Sequence, residues 1–311
     1  MGQAFQIATL TRPLATYSIV ALDPESQQIG VAVVGHWFSV GTLIPWAEAG
    51  IGAVATQAGI KVEYGIDGIR LMVAGKTAYQ ALEFLLARDP EAELRQVGMI
   101  DIQGNVAAHT GKRCVAEAGH CIGKHYATLA NMMVQPGICD TMAEAYESSK
   151  GEFSERMLAS LQAAQDAKGD LRGQQSSAIL IVNRHSVDHI AQDIVADLRV
   201  EDHREPLKEL NRLLRMQRAY RAASQGIQEL MSGDIRATMK EYDEAILLCP
   251  NNHELKFWMA VALANADKWE KALPIFDHLL DVEPAWKRLI PRLIEAHLLK
   301  EHPRFTTTVP A

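Results

Sequence analysis

The chain has 311 residues, more than one compact domain normally needs, so two domains are expected. Its 38 acidic side chains outnumber the 31 basic ones and give a net charge of -7, which excludes the basic surface that drives nucleic-acid binding. The longest unbroken apolar run, residues 257–264, is far shorter than the ~20 residues that a membrane-spanning helix needs. We therefore expect no nucleic-acid partner and no membrane-spanning segment.

Other common sites and signals are missing from the sequence. Residues 1–15 lack the basic start and apolar run of a signal peptide, so a cytoplasmic location is expected. His120, Cys121 and His125 lie close together but lack a fourth ligand at structural-zinc spacing, so no metal site is predicted. No phosphate-binding or dinucleotide-binding glycine motif occurs in a confirming context, so no cofactor is predicted.

Strand and helix-pair patterns alternate through the first half of the chain. Alternating, β-branched residues predict a hairpin over 16–34 and a further strand over 50–57. Apolar residues at helical spacing then predict helices over 64–73 and 78–86, the second capped at its N-terminus by Thr77.

The same order returns further along. Strands over 96–101 and 105–109 flank Gln103-Gly104 and predict a second hairpin, and another strand is predicted over 126–133. Helices over 140–149 and 153–167 and an apolar strand over 177–182 complete the predicted order. This order suits sheets covered by helix pairs better than a strictly alternating parallel sheet.

A helical region with an internal repeat follows from about residue 204. Tyr242 and Phe276, Ala245 and Leu279, and Pro250 and Pro284 are each 34 positions apart by residue number, which is the tetratricopeptide period. Small residues occupy the matching sites Gly226, Ala260 and Ala272, whereas Thr238 and Leu279 depart from the pattern. A chance helical hairpin is the alternative. The sequence predicts an all-α repeat domain over 204–311, flanked by helices over 205–215 and 286–299, with a possible peptide-binding surface within 216–286.

Five stretches of the first half carry a family resemblance: TYSIVALDPE, GVAV, IPWAEAGIGAVATQ, QVGMIDIQGNVAAHTGKRC and GDLRGQQSSAIL. Together they resemble domain-of-unknown-function family 1028, over residue 16 to about residue 202. The resemblance implies an α/β (α+β) fold, a four-layer αββα sandwich of the N-terminal nucleophile hydrolase type over 16–203, after an N-terminal extension over 1–15. It also implies a homodimer or larger assembly, and no established substrate.

In that fold the residue that begins the first strand is the nucleophile, here Thr16. A free α-amino group, with a pKa of about 8, could take the threonine hydroxyl proton at neutral pH without a separate histidine base. Fifteen residues precede Thr16. Either the true start lies elsewhere, or the chain is cut between Ala15 and Thr16, or the amine is never free and Thr16 is an ordinary strand residue.

Further catalytic candidates come from the same resemblance. The aspartate and lysine of the proteasome-like branch are absent, since Val34 and a lysine-free 44–51 stand in their places. His36 is the nearest substitute base, and Asn131 could contribute to an oxyanion hole. Asp170 and Ser176 fall where that branch has residues supporting the threonine amine. Three of them also have a structural explanation: His36 as a structural histidine, Asn131 as a strand cap and Asp170 as the cap of a tight turn.

The candidates for binding an anionic or peptide substrate are polar residues in the loop before the last predicted strand and after the central hairpin. The guanidinium of Arg172 could hold a carboxylate with two hydrogen bonds. The other candidates follow the central hairpin, where they could equally form a solvated edge: His109, Thr110, Lys112 and Arg113.

Two hypotheses follow for the function. The first is a hydrolase of amide or related acyl bonds that uses Thr16 on a small-molecule or peptide substrate. The second is a non-catalytic binding or scaffold protein that recruits a peptide partner through residues 216–286.

Overall fold

The computed structural model describes residues 16–187 and 189–306, so the predicted extension over 1–15 lies outside the described residues. The strands are β1 (Thr16–Asp23), β2 (Gln28–Gly35), β3 (Pro45–Glu48), β4 (Gly52–Ala58), β5 (Arg95–Asp101), β6 (Val106–Thr110), β7 (Gly119–Gly123), β8 (Tyr126–Asn131), β9 (Ser176–Asn183) and β10 (Ile194–Val200). The helices are α1 (Glu63–Val73), α2 (Ala78–Leu86), α3 (Ile138–Ser148), α4 (Phe153–Asp166), α5 (Ile190–Asp193), α6 (Pro206–Ser232), α7 (Ile235–Leu248), α8 (His253–Asn265), α9 (Trp269–Val282), α10 (Leu289–Glu295) and α11 (Pro303–Thr306). Short 3-10 turns span Val40–Thr42, Ala92–Leu94 and Pro284–Arg288.

Contacts divide the chain into two compact units, unit 1 up to Arg212 and unit 2 from Leu213 onward. Unit 1 is a mixed α+β structure with two antiparallel sheets, and unit 2 is all-helical. None of the helices in the described ranges is long and apolar enough to cross a membrane.

The strands of unit 1 form one six-stranded and one four-stranded sheet. The strand orders are β10-β9-β2-β1-β8-β7 and β3-β4-β5-β6, and every pairing between neighbours is antiparallel. The predicted hairpins become the pairs β1–β2 and β5–β6. The pairs β1–β8, β2–β9 and β4–β5 join strands that lie far apart in the chain, and the sequence did not predict these pairings.

The two sheets pack face to face through one apolar cluster. Val20 and Leu129 of the larger sheet share this cluster with Ala55 and Ile100 of the smaller sheet. Gly98 permits the close approach, because a Cβ atom there would lie 2.7 Å from Leu129 Cδ1. Inward side chains alternate with outward ones along each strand, so the same strands also present a second, outward face.

Helix pairs cover the outward faces. Ile69 and Met72 of α1 and Leu82 of α2 pack with Val54 and Met99 on the outer face of the four-stranded sheet. On the six-stranded sheet, Tyr17 donates a hydrogen bond to Gln165 of α4, and Thr128 donates one to the Cys139 carbonyl of α3. The sequence predicted both helix pairs. Thr77 caps α2 as predicted, and it does so in a reciprocal capping box with Gln80.

Unit 2 is built around aromatic and small side chains. Tyr242, Phe276 and Ala272 are fully buried in its core. Gly226 lies against Tyr242, since a Cβ atom at 226 would be 3.1 Å from Tyr242 Cδ2. Trp286 packs on Phe257 with ring centroids 4.1 Å apart. The interior of unit 2 therefore depends on small residues placed opposite large rings.

Two predicted helices differ from the structure. The predicted helix over 205–215 is the start of α6, which continues without a break to Ser232. The predicted helix over 286–299 is wrong in its bounds, because the chain makes a 3-10 turn over Pro284–Arg288 and the α-helix ends at Glu295. Three strands, β3, β7 and β10, were not predicted.

A buried ion pair joins the end of α2 to the start of β5. Asp89 Oδ2 accepts hydrogen bonds from Arg95 Nε at 2.8 Å and from the Tyr64 hydroxyl at 3.1 Å, and Lys61 Nζ lies 3.5 Å from Asp89 Oδ1. Burial alone would raise the pKa of Asp89, but the hydrogen bond from Arg95, the bond from the Glu91 N–H and the charges of Arg95 and Lys61 outweigh it and lower the pKa to about 2.

The Asp89–Arg95 pair makes the free energy of unfolding depend on pH. Because the folded-state pKa is lower than the ordinary value of 3.8, the stabilisation is complete above about pH 4 and is lost as the pH falls towards 2. We expect Asp89→Asn to remove about 1–2 kcal/mol of this pH-dependent stability, measured as the difference in the free energy of urea unfolding of the full chain between pH 6 and pH 2.

The control is Asp67→Asn. Asp67 pairs with Arg70 at 3.0 Å on the surface, with 42% of its side chain exposed, and such pairs contribute little. Equal changes in both variants would show that burial of the Asp89–Arg95 pair is unimportant.

Candidate functional site

The apolar layer between the sheets ends in a group of polar side chains, which we call the polar end. Strand alternation places them on the inward faces, in line with Val20 and Leu22 on β1, Leu129 on β8, Ala55 on β4 and Ile100 on β5. All are fully buried except Thr110, which is partly buried. The polar end consists of Thr16, Ser18, Gln57, Gln96, Thr110 and Asn131.

Strand register brings these residues together. Thr16 of β1 lies directly opposite Asn131 of β8, while Gln96 of β5 lies opposite both Gln57 of β4 and Thr110 of β6. Each pair shares one face of its sheet, and the two faces meet at the inter-sheet layer. The pairing therefore joins residues far apart in sequence into one cluster.

Thr16 is held by neutral amides. Asn131 Nδ2 lies 3.3 Å from Thr16 Oγ1 and 3.5 Å from the Thr16 carbonyl oxygen, to which Gln57 Nε2 also donates at 3.4 Å. Thr16 has no exposed surface. The structure thus brings together the predicted nucleophile and the predicted oxyanion-hole residue, with an N–H directed at the hydroxyl oxygen.

The glutamines extend this cluster. Gln96 Oε1 accepts hydrogen bonds from Gln57 Nε2 at 2.7 Å and from Asn131 Nδ2 at 3.0 Å, and Ser18 Oγ donates to Gln57 Oε1 at 2.7 Å. Within the described part of the chain, Asn131 Oδ1 is buried without a hydrogen-bond partner. The network is therefore well connected at the glutamines and incomplete at Asn131.

Ser176 and His36 lie near the end of β2. Ser176 Oγ donates to the Trp37 carbonyl oxygen at 2.5 Å and accepts from the Val40 N–H at 3.0 Å, so it fixes the segment after β2. His36 is partly buried, and its Nδ1 has no hydrogen-bond partner among residues 16–187 and 189–306. The hydrogen bonds described for these two residues do not reach Thr16.

Asp170 forms an isolated β-bridge with Met133, just beyond the end of β8. Its side chain is fully buried, accepts from the Arg172 N–H at 2.8 Å and pairs with the Arg172 guanidinium at 3.4 Å. Burial, and next the charge of Asp170, raise the pKa of Tyr17, whose hydroxyl points to α4. Because Tyr17 and Thr16 are neighbours on a strand, their side chains face opposite sides of the sheet. The described bonds of Asp170 and Arg172 likewise do not reach Thr16.

The predicted substrate-binding residues at the end of β6 and just after it differ in their surroundings. Thr110 Oγ1 is 3.0 Å from Gln96 Nε2 and 2.9 Å from His120 Nδ1, so Thr110 joins the polar end. His109 Nε2 lies 2.9 Å from the Ala92 carbonyl oxygen. Lys112 and Arg113 are exposed, and their backbone N–H groups bind Glu93.

Gln57 and Gln96 are missing from the set of site residues predicted from the sequence. A signal for both was available. Gln57 follows the inward residues Ala53 and Ala55 at a spacing of two, and Gln96 precedes Gly98 and Ile100 in the same way. A polar side chain at the inward position of an otherwise apolar strand needs a buried partner.

The polar end carries no formal charge. Its side chains are hydroxyls and amides, so it can orient a hydroxyl and donate hydrogen bonds to a developing negative charge. Among the described residues, no group of three or more His, Cys, Asp or Glu side chains is arranged to hold a metal ion.

We expect Ser176→Ala to destabilise unit 1. The change leaves the buried N–H of Val40 without an acceptor, which typically costs about 1–3 kcal/mol. The measurement is amide hydrogen exchange of the full chain, in which the Val40 amide should exchange faster. Ser177→Ala is the matched control, because Ser177 is equally buried but only donates, to the Pro206 carbonyl oxygen at 2.9 Å. Unchanged protection of Val40 in Ser176→Ala would contradict this assignment.

Comparison with known proteins places residues 16–210 in one family. They match the model of a family of unknown function, DUF1028. A crystal structure of a DUF1028 protein from Silicibacter pomeroyi is similar to this chain, with a TM-score of 0.58 and 27% sequence identity, covering 64% of this chain and 88% of that one. No curated protein matches the chain. The family match covers more than half of the chain, which therefore belongs to the DUF1028 family.

Proposed function

We propose that unit 1 is a hydrolase of amide or related acyl bonds, of the N-terminal nucleophile type, with Thr16 as nucleophile. The observation that carries this proposal is the Asn131 amide directed at Thr16 Oγ1, at the start of β1. The order of layers supports it, because two face-to-face sheets lie between two helix pairs. The family match supports it too, since it begins at Thr16.

The mechanism would use the α-amino group of Thr16 as base. The described donor to Thr16 Oγ1 is a neutral amide, which cannot accept a proton usefully, so the base must come from elsewhere. Cleavage between Ala15 and Thr16 would supply it.

Each turnover would then have two steps. The amine takes the hydroxyl proton as Oγ1 attacks the substrate carbonyl carbon, and the proton passes to the leaving amine as the C–N bond breaks. Water, deprotonated by the same amine, attacks the resulting ester and releases the acid while Thr16 Oγ1 regains its proton. Hydrogen-bond donors at the polar end would stabilise the negative charge of each tetrahedral intermediate.

The test is the intact mass of the purified chain together with labelling by a β-lactone, an electrophile that acylates nucleophilic hydroxyls. We expect a product that starts at Thr16, and a label on that residue. Thr16→Val keeps the shape of the side chain and removes only the hydroxyl, so its labelling should fall by at least about 100-fold.

A second variant distinguishes two reasons for a lack of labelling: that the α-amine of Thr16 is never exposed, or that Thr16 is not a nucleophile. Replacing residues 1–15 by a single methionine lets methionine removal expose Thr16 directly. If neither this variant nor the full chain is labelled at Thr16, the hydrolase proposal is wrong and the binding hypothesis gains.

For unit 2 we propose a tetratricopeptide-like module that binds a peptide within 216–286. The support is the burial of residues one period apart: Tyr242 and Phe276 are both fully buried, as are Thr238 and Ala272. Equal environments at positions 34 apart are expected when each repeat packs in the same way. This role does not require Thr16 and could coexist with the hydrolase.

A further inference from the structure

The orientation of the Asn131 side-chain amide depends on Gln96, which in turn is oriented by two backbone carbonyl groups. The side-chain amide of Asn or Gln can adopt two orientations that exchange its oxygen and its nitrogen. The hydrogen-bond partners decide which position the nitrogen occupies. Partners that only accept, such as backbone carbonyl oxygens, remove the ambiguity. Three such partners lie at the polar end. The Thr16 carbonyl oxygen takes only long contacts, 3.4 Å from Gln57 Nε2 and 3.5 Å from Asn131 Nδ2, whereas the other two make shorter contacts with Gln96.

Gln96 Nε2 lies 2.9 Å from the Gly119 carbonyl oxygen and 2.9 Å from the Ala130 carbonyl oxygen. The amide group of Gln96 must therefore direct its N–H groups at these two atoms. The flipped orientation would set Oε1 against two carbonyl oxygens and lose both hydrogen bonds in a site without exposed surface.

This choice passes to Asn131. Because Gln96 Nε2 donates to the two carbonyl oxygens, Gln96 Oε1 faces Asn131. The Asn131 atom that lies 3.0 Å from this oxygen must therefore be the donor Nδ2. The second hydrogen of that nitrogen then faces Thr16, where Oγ1 at 3.3 Å is nearer than the carbonyl oxygen at 3.5 Å. A flipped Asn131 would place Oδ1 against Gln96 Oε1, and would offer Thr16 an acceptor instead of a donor.

For a nucleophile the difference matters. A donor at Oγ1 stabilises the negative charge that develops as the hydroxyl proton leaves. An acceptor at the same place would bind that proton and hold the hydroxyl in its unreactive orientation. We propose that Gln96 is a positioning residue, which holds the Asn131 amide as a hydrogen-bond donor to Thr16 Oγ1; this inference rests on the proposed function.

The first test measures the orientation of the Asn131 amide and does not depend on enzymatic activity. In NMR spectra of the full chain, the Asn131 side-chain amide hydrogens should show a nuclear Overhauser effect to Thr16 Hβ, and Gln96→Met should abolish it. Persistence of that contact in Gln96→Met would overturn the proposal, since Asn131 would then hold its orientation without Gln96.

The second test reads reactivity, as the rate of Thr16 labelling by the β-lactone. The step opens the lactone ring: Oγ1 forms an ester with the lactone carbonyl, and the ring C–O bond breaks and takes up the hydroxyl proton. Gln96→Met should slow this step roughly tenfold or more, because small losses of orientation cost reactivity steeply. Ser177→Ala is the matched control, since Ser177 is equally buried but donates to the Pro206 carbonyl oxygen, outside the polar end. It should change the rate by less than about twofold, and equal slowing in both variants would overturn the proposal.

A further variant guards against a failure of Gln96→Met to fold. In Gln96→Glu, a protonated carboxyl group can still donate to one carbonyl oxygen and accept from Asn131, whereas the ionised form can only accept. Labelling of Gln96→Glu should therefore fall as the pH rises through the pKa of the introduced carboxyl group. The wild-type rate should instead rise with pH, because the α-amine must be neutral. Parallel pH profiles would contradict the positioning role. If wild-type Thr16 is not labelled at all, the proposed function fails, and the NMR contact alone decides the orientation.

Discussion

The arrangement of unit 1 depends on the alternation of side chains along strands that face a shared interior. The two sheets bury their inward faces against each other, so each inward polar side chain must find a partner in that layer. Partners exist because the polar residues fall opposite one another in the ladders, as Thr16 and Asn131 do on β1 and β8. A shift of one residue in β5 would turn Gln96 to the helix side and leave Gln57 and Asn131 without their common acceptor.

The same alternation separates two sets of candidate residues. Thr16 and Asn131 face the inter-sheet layer, whereas Tyr17 faces α4 and experiences the charge of Asp170. The side chains of the polar end are hydroxyls and amides without formal charge, and they form a set of oriented dipoles. Such a set can favour negative charge at Thr16 Oγ1 without the cost of burying an ion.

Much of this fold follows from the sequence, and the failures have physical causes. Strands with strong apolar alternation, such as β1, β2 and β9, were predicted because both their faces are buried and their composition shows it. The edge strand β7, with the sequence GHCIG, is half-exposed and rich in glycine, so its pattern is weak. Local pattern also cannot show which helical segments merge, and this is why α6 was predicted as separate pieces.

The site shows a similar division. Thr16 and Asn131 were predicted through the family resemblance, and their adjacency is a consequence of one ladder. Gln57 and Gln96 meet them only because the second sheet packs across the first, a long-range contact that no local spacing encodes. Glutamine also belongs to no catalytic motif considered for the sequence. Their inward register was the available signal, and it gains meaning only once the face of each strand is known.

Two explanations compete for this buried polar network: a device that fixes strand register, or a site for chemistry. A register device gains most when every donor and acceptor is paired, because each unpaired buried group costs stability. The network meets that condition around Gln96, whose oxygen and nitrogen both have partners. It fails at the other end, where Asn131 Oδ1 is unpaired in the described part of the chain and the contact to Thr16 Oγ1 is 3.3 Å long. The shortfall lies beside the hydroxyl that begins the first strand. Register alone would favour full pairing at Asn131 as well as at Gln96. A network that is fully paired at Gln96 and incompletely paired beside Thr16 fits the proposed reacting group better.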